Sequence, residues 1–218
     1  MSGMRNRAVT TGTLETPIHL KPLPDSDRVL RRISSMSNSE LHELCERSYL
    51  HTNGFAKIVL NNFPDGSALR LHVWMDAEAG DEGHVHSHRW SFRSAILCGE
   101  LEQCLYRIED GGTFGRYQYS SQHHGKSYTL QHTGYATPVL TAQFVMLDGF
   151  SYLLRPGAFH TIKANSPMTA SLVLTGPPET EENTVVAEGE PTLERHSSAL
   201  TVGELSKITK ELSRIACP

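Results

Sequence analysis

Three histidines at alternate positions, His84, His86 and His88, are the residues of this chain with the clearest potential for chemistry. Neutral imidazole is the most common metal ligand among side chains. Side chains two positions apart on an extended segment project to the same side. An apolar run that ends at Gly99 follows directly, so we expect the histidines to stand at the mouth of a β-structure. The pattern therefore predicts a metal site.

The chain after Gly54 has the pattern of a β-rich domain, because short apolar segments alternate with turn residues and no helical pattern separates them. This favours an all-β sandwich or barrel. Among the predicted turns are Asp110-Gly111-Gly112 and Thr133-Gly134. The predicted strands are Phe55–Leu60, Leu69–Trp74, Trp90–Leu97, Leu101–Ile108, Gly115–Ser120, Ser127–His132, Val139–Leu147, Tyr152–Leu154, Phe159–Lys163 and Ala170–Leu174.

Helical patterns flank the β-rich region on both sides. An apolar stripe after Asp25 predicts one short helix, and a second helix follows with Ser39 as its predicted N-cap. A closing helix is predicted over 202–215, with Thr201 and Glu204 as a capping box. We expect these helices to pack on the barrel rather than to carry chemistry.

Two changes in composition divide the chain into three parts. Residues 1–54 are predicted to be a lead-in and helices that pack on the barrel, and residues 55–175 are the barrel itself. Residues 176–218 begin with the acidic, proline-bearing sequence Gly-Pro-Pro-Glu-Thr-Glu-Glu-Asn. We therefore predict a linker there, followed by the C-terminal helix.

Composition excludes several classes of function. The 218 residues carry a net charge of −4 and contain no basic block, which argues against nucleic acid or an anionic membrane surface as a partner. No apolar run approaches the roughly 18 residues of a membrane-spanning helix. The N-terminal sequence has no apolar signal-peptide core, and the four cysteines form no Cys-x-x-Cys pair. A cytoplasmic protein is the default expectation.

The first histidine segment resembles the first conserved motif of the cupin superfamily. The resemblance depends on the spacing of Gly80, His86, His88 and Gly99. One position departs from it, because Phe92 stands where the motif normally has a glutamate.

A second segment resembles the second cupin motif. Gly149, Gly157 and His160 have the expected offsets, whereas Pro156 is one residue late and Ala164 replaces the customary asparagine. The resemblance covers roughly residues 55–175. It implies a double-stranded β-helix, or jelly-roll barrel, with His86, His88 and His160 as the ligands of one metal ion.

An all-histidine ligand set resembles that of thiol dioxygenases and other non-haem iron dioxygenases of the cupin type. The resemblance implies Fe(II), with Zn, Mn or Ni as alternatives, and a small-molecule substrate that binds the metal together with O₂. Two further functions stay open: a non-redox isomerase, lyase or hydrolase with the metal as Lewis acid, and a non-catalytic binding module. A homodimer is expected from the resemblance only.

Further residues are candidates for the substrate pocket. An inward-facing arginine would bind a carboxylate, aromatic residues would exclude water, and a tyrosine would donate a proton. His84 is expected not to be a ligand, and to lie beside the metal as a partner of a ligand or simply on the surface. Four further histidines are expected to lie on the surface or line the barrel: His72, His123, His124 and His132. The pocket candidates are Trp90, Phe92, Arg93, Arg70, Tyr106 and Tyr152.

Overall fold

The computed structural model describes residues 20–77, 84–122 and 126–216. Gly80 of the first motif, together with His123 and His124, lies outside these ranges, so their predicted roles stay predictions.

Within these ranges, three helices flank the β-structure: α1 (Ser26–Ser34), α2 (Asn38–Arg47) and α3 (Val202–Ala216). The N-cap of α2 is Ser37 and not the predicted Ser39, because the Ser37 hydroxyl and the Glu40 carboxylate form a reciprocal capping box. The predicted box of α3 is confirmed, since Thr201 and Glu204 hydrogen-bond to each other's backbone N–H groups. Within the described residues no helix is long and apolar enough to cross a membrane.

The strands of the described part of the chain form two antiparallel sheets. The strands are β1 (Tyr49–Leu50), β2 (Ala56–Asn62), β3 (Ala68–Trp74), β4 (Val85–His86), β5 (Phe92–Cys98), β6 (Glu100–Gln122), β7 (Ser127–Leu147), β8 (Ser151–Leu154), β9 (Phe159–Ala164), β10 (Thr169–Thr175), β11 (Asn183–Ala187), β12 (Glu194–His196) and β13 (Ser198–Ala199). Sheet A has the order β13-β1-β2-β3-β10-β5-β8, and sheet B has the order β11-β4-β9-β6-β7-β12 with an additional β11–β6 pairing.

The inner faces of the two sheets contact each other. Trp74 and Ile96 of sheet A pack with Leu101 and Met146 of sheet B in one buried cluster. The two facing antiparallel sheets form the predicted fold, an all-β double-stranded β-helix of the cupin type with flanking helices. The helices cover the outer face of sheet A, where they share a larger core with strands β2, β3 and β10.

Strands β6 and β7 are longer than the sequence predicts. The turn predicted at Asp110-Gly111-Gly112 is a bulge inside β6, because Asp110 and Phe114 both pair with Ala136. Gly111 and Gly112 accommodate the extra residues with φ values of 79° and 110°. Gly134 likewise lies within β7, paired with Arg116. Local turn signals therefore mark bulges here, since the long cross-strand ladder continues past them.

The segment predicted as an acidic linker also contributes to the barrel. Strand β11 pairs with β4 through Val185 and Val186, and on its other side with β6. A strand between two neighbours lies inside a sheet and is held by both of its edges. Composition alone does not reveal it, because the pairing partners are distant in sequence.

We predict that Gly99 between β5 and β6 tolerates alanine less well than Gly149 does. Both glycines have left-handed backbones, with φ values of 82° and 79°. A Cβ on Gly99 would lie 2.7 Å from the Thr169 Cα, whereas nothing lies within 4 Å of a Cβ on Gly149. In urea denaturation, the free energy of unfolding should fall by about 1–2 kcal/mol in G149A because of backbone strain. It should fall clearly more in G99A. Equal losses would contradict the close packing of Gly99 on β10.

Candidate metal centre

The pairing of two strands brings distant histidines together. His86 ends β4, and its register partner in β9 is His160. His88 follows two residues after His86, and the N–H of Gly157 donates a hydrogen bond of 3.0 Å to the His88 carbonyl. The turn that precedes β9 therefore also holds the segment that carries His88.

The three imidazoles can hold one metal ion. One ring nitrogen from each of His86, His88 and His160 lies within 4.8 Å of the other two. The Nε2 atoms of His88 and His160 are 3.0 Å apart. Two nitrogen ligands about 2.1 Å from a common ion and at right angles to each other would be separated by about that distance, so the convergence fits a shared ion.

Hydrogen-bond partners at the Nδ1 atoms orient the rings of His86 and His160. The Nδ1 atom of His86 lies 3.3 Å from the His84 carbonyl oxygen, to which it donates when Nε2 is free to bind a metal. The side-chain amide of the buried Gln103 lies 3.2 Å from Nδ1 of His160. When Nε2 of His160 binds a metal, Nδ1 carries the proton and donates to the amide oxygen, which a rotation of the amide brings to the same place.

The electrostatics of the site favour neutral rings. Burial lowers the pKa of His88 and of His160 well below 6.5, and the neighbouring His86 lowers both further. A neutral imidazole has a lone pair available for a metal. The ligand group is therefore in the protonation state that metal binding requires.

The histidines open into a cavity of about 1300 Å³ between the two sheets. Trp90 stacks on the His88 ring at 6.0 Å, and Phe92 meets the same ring edge-on at 5.3 Å. Tyr152 packs against Phe92 at 5.9 Å, and burial raises the pKa of its phenol to about 12. The cavity wall next to the ligand group is thus aromatic, with one hydroxyl that stays protonated at neutral pH.

Phe92, which stands at the position of the expected acid, lies against the ligand group. Its ring centroid is 5.3 Å from that of His88 and 6.1 Å from that of His160. Among the described residues that line the cavity, the only acidic one is Glu46, which is exposed. The ligand group therefore contains no carboxylate within the described chain.

Four of the six predicted pocket residues line the cavity, namely Trp90, Phe92, Arg70 and Tyr152, and so does His84. Arg93 and Tyr106 do not. Arg93 points away because it follows the inward-facing Phe92 on β5, and successive strand residues face opposite sides. Tyr106 lies after a register shift in β6 and packs with Val85 and Ala136 outside the cavity.

Lys57, His51 and His72 also line the cavity, and a pocket role was not predicted for Lys57 or His51. Lys57 of β2 is the register partner of His72 of β3, and Val59 is that of Arg70. Burial, together with the charge of Arg70, lowers the pKa of Lys57 well below 10.5. The sequence signal for this wall of the cavity was the alternation of Arg70, His72 and Trp74, because alternate residues of a strand lie on the same face.

No family model and no curated protein matches this chain. Similar solved structures include an RmlC-like cupin from Shewanella frigidimarina, with 18% identity, coverage of 62% of this chain and 88% of the other, and a TM-score of 0.36. A double-stranded β-helix protein from Klebsiella pneumoniae has 15% identity, coverage of 71% and 96%, and a TM-score of 0.34. A hydroquinone 1,2-dioxygenase in complex with Cd²⁺ and 4-hydroxybenzonitrile has 15% identity, coverage of 81% and 94%, and a TM-score of 0.36.

The chain itself has two facing antiparallel sheets, the fold of a double-stranded β-helix, and a group of three histidines that can hold a metal ion.

We predict that alanine at His86, His88 or His160 removes bound metal, because each substitution deletes one of three ligand nitrogens. Alanine at His84 is the matched control, since the backbone carbonyl that contacts His86 Nδ1 is retained in this variant. Metal content of the purified variants, measured by elemental analysis, should fall to a small fraction in the first three and stay near the wild-type value in His84→Ala. Loss of metal in His84→Ala would show that the ligand set is different.

We further predict that Gln103 positions His160 for metal binding. Gln103→Leu keeps the side-chain size but removes the acceptor for the His160 Nδ1 proton, so the metal Kd should rise about 10- to 100-fold. Gln103→Glu retains an acceptor at the same place and should restore tight binding. Competition with a chelator of known affinity measures both. Equal affinity of Gln103→Leu and the wild type would exclude this role.

Proposed function

We propose that this protein is a non-haem Fe(II) dioxygenase that oxidises a small organic anion able to bind the metal. One observation carries the proposal. Three neutral imidazoles, without a carboxylate among the described residues that line the site, converge in a cavity between the two sheets whose other polar groups include the half-buried side chains of Lys57 and Arg70. Each part of this arrangement favours an anionic, metal-binding substrate.

The ligand set favours a substrate that supplies negative charge. Three neutral imidazoles leave a divalent ion with its full positive charge, because His86, His88 and His160 contribute none of their own. When bound, Fe(II) would supply open positions for a substrate donor group and for O₂. A thiolate, enolate or carboxylate on the substrate would provide the negative charge that a glutamate at position 92 would contribute and that Phe92 lacks.

Arg70 favours a second acidic group on the substrate. Its guanidinium lies over the Trp90 ring at 5.4 Å, and its Nε atom is buried without a hydrogen-bond partner. Buried donors without a partner are rare in proteins and costly in free energy. A substrate carboxylate would satisfy this donor, and the guanidinium binds a carboxylate with two parallel hydrogen bonds.

The neighbouring Lys57 adds to the same preference. It lies on the strand next to Arg70, and its ammonium group contacts the Tyr49 ring at 5.4 Å. Burial and then the charge of Arg70 lower its pKa, so an anion between the two would raise that pKa and favour the charged ammonium group. The wall beside His88 therefore attracts anions although the whole chain has a charge of −4.

The aromatic wall would keep the reacting atoms away from bulk water. Trp90 and Phe92 cover the His88 ring on two sides, and water exclusion strengthens each polar contact inside a site. The Tyr152 hydroxyl, protonated because of its raised pKa, would donate a hydrogen bond or a proton to bound substrate. These roles belong to the chain's own residues and do not depend on which metal is bound.

The same ligand group favours a second candidate function. Three histidines and one open position are also typical of catalytic zinc sites, so Zn, Mn or Ni would make the protein a non-redox isomerase, lyase or hydrolase. A non-catalytic binding module is the third reading. Metal content and oxygen consumption distinguish the three.

The test begins with purification without oxygen, metal analysis and reconstitution with Fe(II). Oxygen uptake is then measured with thiols, diketones and aromatic diols, each paired with an analogue that carries a carboxylate. We expect the protein to contain near-stoichiometric iron. We also expect oxygen uptake with one of the three substrate classes, at a higher rate for the analogue that carries a carboxylate. Zinc alone, with no oxygen uptake by the iron-loaded protein, would contradict the dioxygenase proposal.

Arg70→Met tests the substrate charge, with Arg93→Met as the matched control on the same sheet. Loss of a charge-assisted hydrogen bond of about 1.5–3 kcal/mol should raise KM for the acid about 10-fold or more in Arg70→Met and leave metal content unchanged. The advantage of the acid over its uncharged analogue should disappear in this variant only. An unchanged preference in Arg70→Met would exclude Arg70 as the carboxylate partner.

A further inference from the structure

The inward face of strand β3 continues past Arg70 to two more nitrogen-bearing side chains. Arg70, His72 and Trp74 all line the cavity, because alternate residues of a strand face the same side. At about 3.3 Å per residue, Trp74 lies roughly 13 Å along the strand from Arg70. Since Arg70 is the proposed partner of a carboxylate, the two rings beyond it can contact another part of the substrate.

The part of the cavity around these two rings is aromatic. The ring centroid of Phe55 lies 4.7 Å from that of His51 and 4.7 Å from that of His72. It lies 5.1 Å from the Trp74 ring, and His72 meets Trp74 edge-on at 6.1 Å. All four side chains line the cavity. We call this group the deep pocket: His51, Phe55, His72 and Trp74.

The deep pocket is within reach of a substrate that is bound at the metal centre. His160 and Ile162 both line the cavity and are two residues apart, which is roughly 7 Å on a strand. Ile162 packs against the buried cluster that contains Trp74 and Phe55. The far end of a substrate can therefore contact Trp74 while its other end lies beside His160.

Two nitrogen atoms of the deep pocket are buried without a hydrogen-bond partner among the described residues, Nε1 of Trp74 and Nε2 of His72. Trp74 is only 2% exposed. An indole N–H group can only donate a hydrogen bond, and a buried donor without an acceptor is costly in free energy. A ligand oxygen atom that accepts this hydrogen bond would remove the cost.

The nitrogen atoms of the deep pocket favour an uncharged acceptor. The indole carries no charge. Burial, followed by the charge of Lys57, lowers the pKa of His72 well below 6.5, so its ring is neutral as well. In the proposed function, Lys57 and Arg70 bind the acid group of the substrate. A second anionic group buried against neutral donors would be costly, whereas a carbonyl oxygen loses far less when it leaves water.

We propose that the deep pocket binds a flat, uncharged end of the substrate that carries an oxygen acceptor, such as a carbonyl, for the Trp74 indole N–H. Aromatic walls favour a flat, unsaturated group, because rings pack by offset stacking and edge-to-face contact. The inference rests on the proposed function, since it extends the substrate of that site to an acid with an acceptor-bearing ring at its other end.

The size of the cavity supports a substrate with two ends. Its volume is about 1300 Å³, whereas pockets that hold drug-sized ligands have roughly 300–1,000 Å³. An acid that contacts only the metal and Arg70 would leave much of this space unused. A ring that extends to Trp74 would occupy it.

Binding of matched acids to the protein loaded with Zn(II) tests the proposal by calorimetry. The probes are arylpropanoates that differ only in the para group, which is an acetyl group, its oxygen-free isostere isopropenyl, or a carboxylate. Because the isopropenyl group leaves the buried donor without a partner, the acetyl acid should bind about tenfold more tightly. It should also bind more tightly than the dicarboxylate. Because binding and not oxidation is measured, failure of the dioxygenase reaction would not affect this result.

Two variants assign the difference to one side chain. Trp74→Phe keeps an aromatic ring but removes the N–H group, so the acetyl acid should lose its advantage over the isopropenyl acid. Trp90→Phe is the matched control and should keep that advantage, because Trp90 is the other of the two tryptophans and lies beside His88. In NMR spectra of the isotope-labelled wild type, the acetyl acid should move the Trp74 indole proton downfield.

Three results would overturn the proposal. The first is equal affinity of the wild type for the acetyl and isopropenyl acids, and the second is failure of the acetyl acid to bind. The third is tighter binding of the dicarboxylate, which would mean that the deep pocket accepts a charged group. If Trp74→Phe does not fold, the wild-type affinities and the indole signal still decide the question.

Discussion

The convergence of three imidazoles between two sheets is the constraint on which the rest of the site depends. Removing these rings from water is costly, and the antiparallel pairing of β4 with β9 holds His86 opposite His160 in spite of that cost. The same desolvation lowers the pKa of His88 and of His160. Burial therefore both positions the ligand nitrogens and keeps their lone pairs available.

The cavity around this group has an unusual balance of charge. Lys57 and Arg70 lie inside it, and the only acidic lining residue in the described ranges, Glu46, is exposed. The contact of Arg70 with the Trp90 ring offsets part of the desolvation cost. The burial of Lys57 itself, followed by the charge of Arg70, lowers the pKa of Lys57 well below 10.5, and an anionic ligand would oppose this shift. The cationic wall and the neutral ligand set therefore both favour an anionic substrate.

Much of the fold could be predicted because its signals are local. Strand periodicity, the capping box of α3 and the spacing of the glycines around His160 each depend on residues that are close in the chain. The errors arose where distant pairing overrides a local signal. Gly111 and Gly112 form a bulge because β7 continues alongside them, and an acidic segment contains β11 because β4 and β6 lie on either side of it.

The sequence by itself determined that His86 and His88 share one side of the chain, and its resemblance to the cupin motifs implied His160 as their partner and Phe92 in the place of the acid. Only the tertiary structure decided which face of each strand lines the cavity. On sheet A the apolar residues Ile58, Leu71 and Leu172 pack under the helices, whereas Lys57 and Arg70 face inward. Alternation reveals which residues share a face, but the side that a helix covers depends on contacts between segments distant in the chain. For that reason Arg93 and Arg70, equivalent as sequence signals, lie on opposite sides of the same sheet.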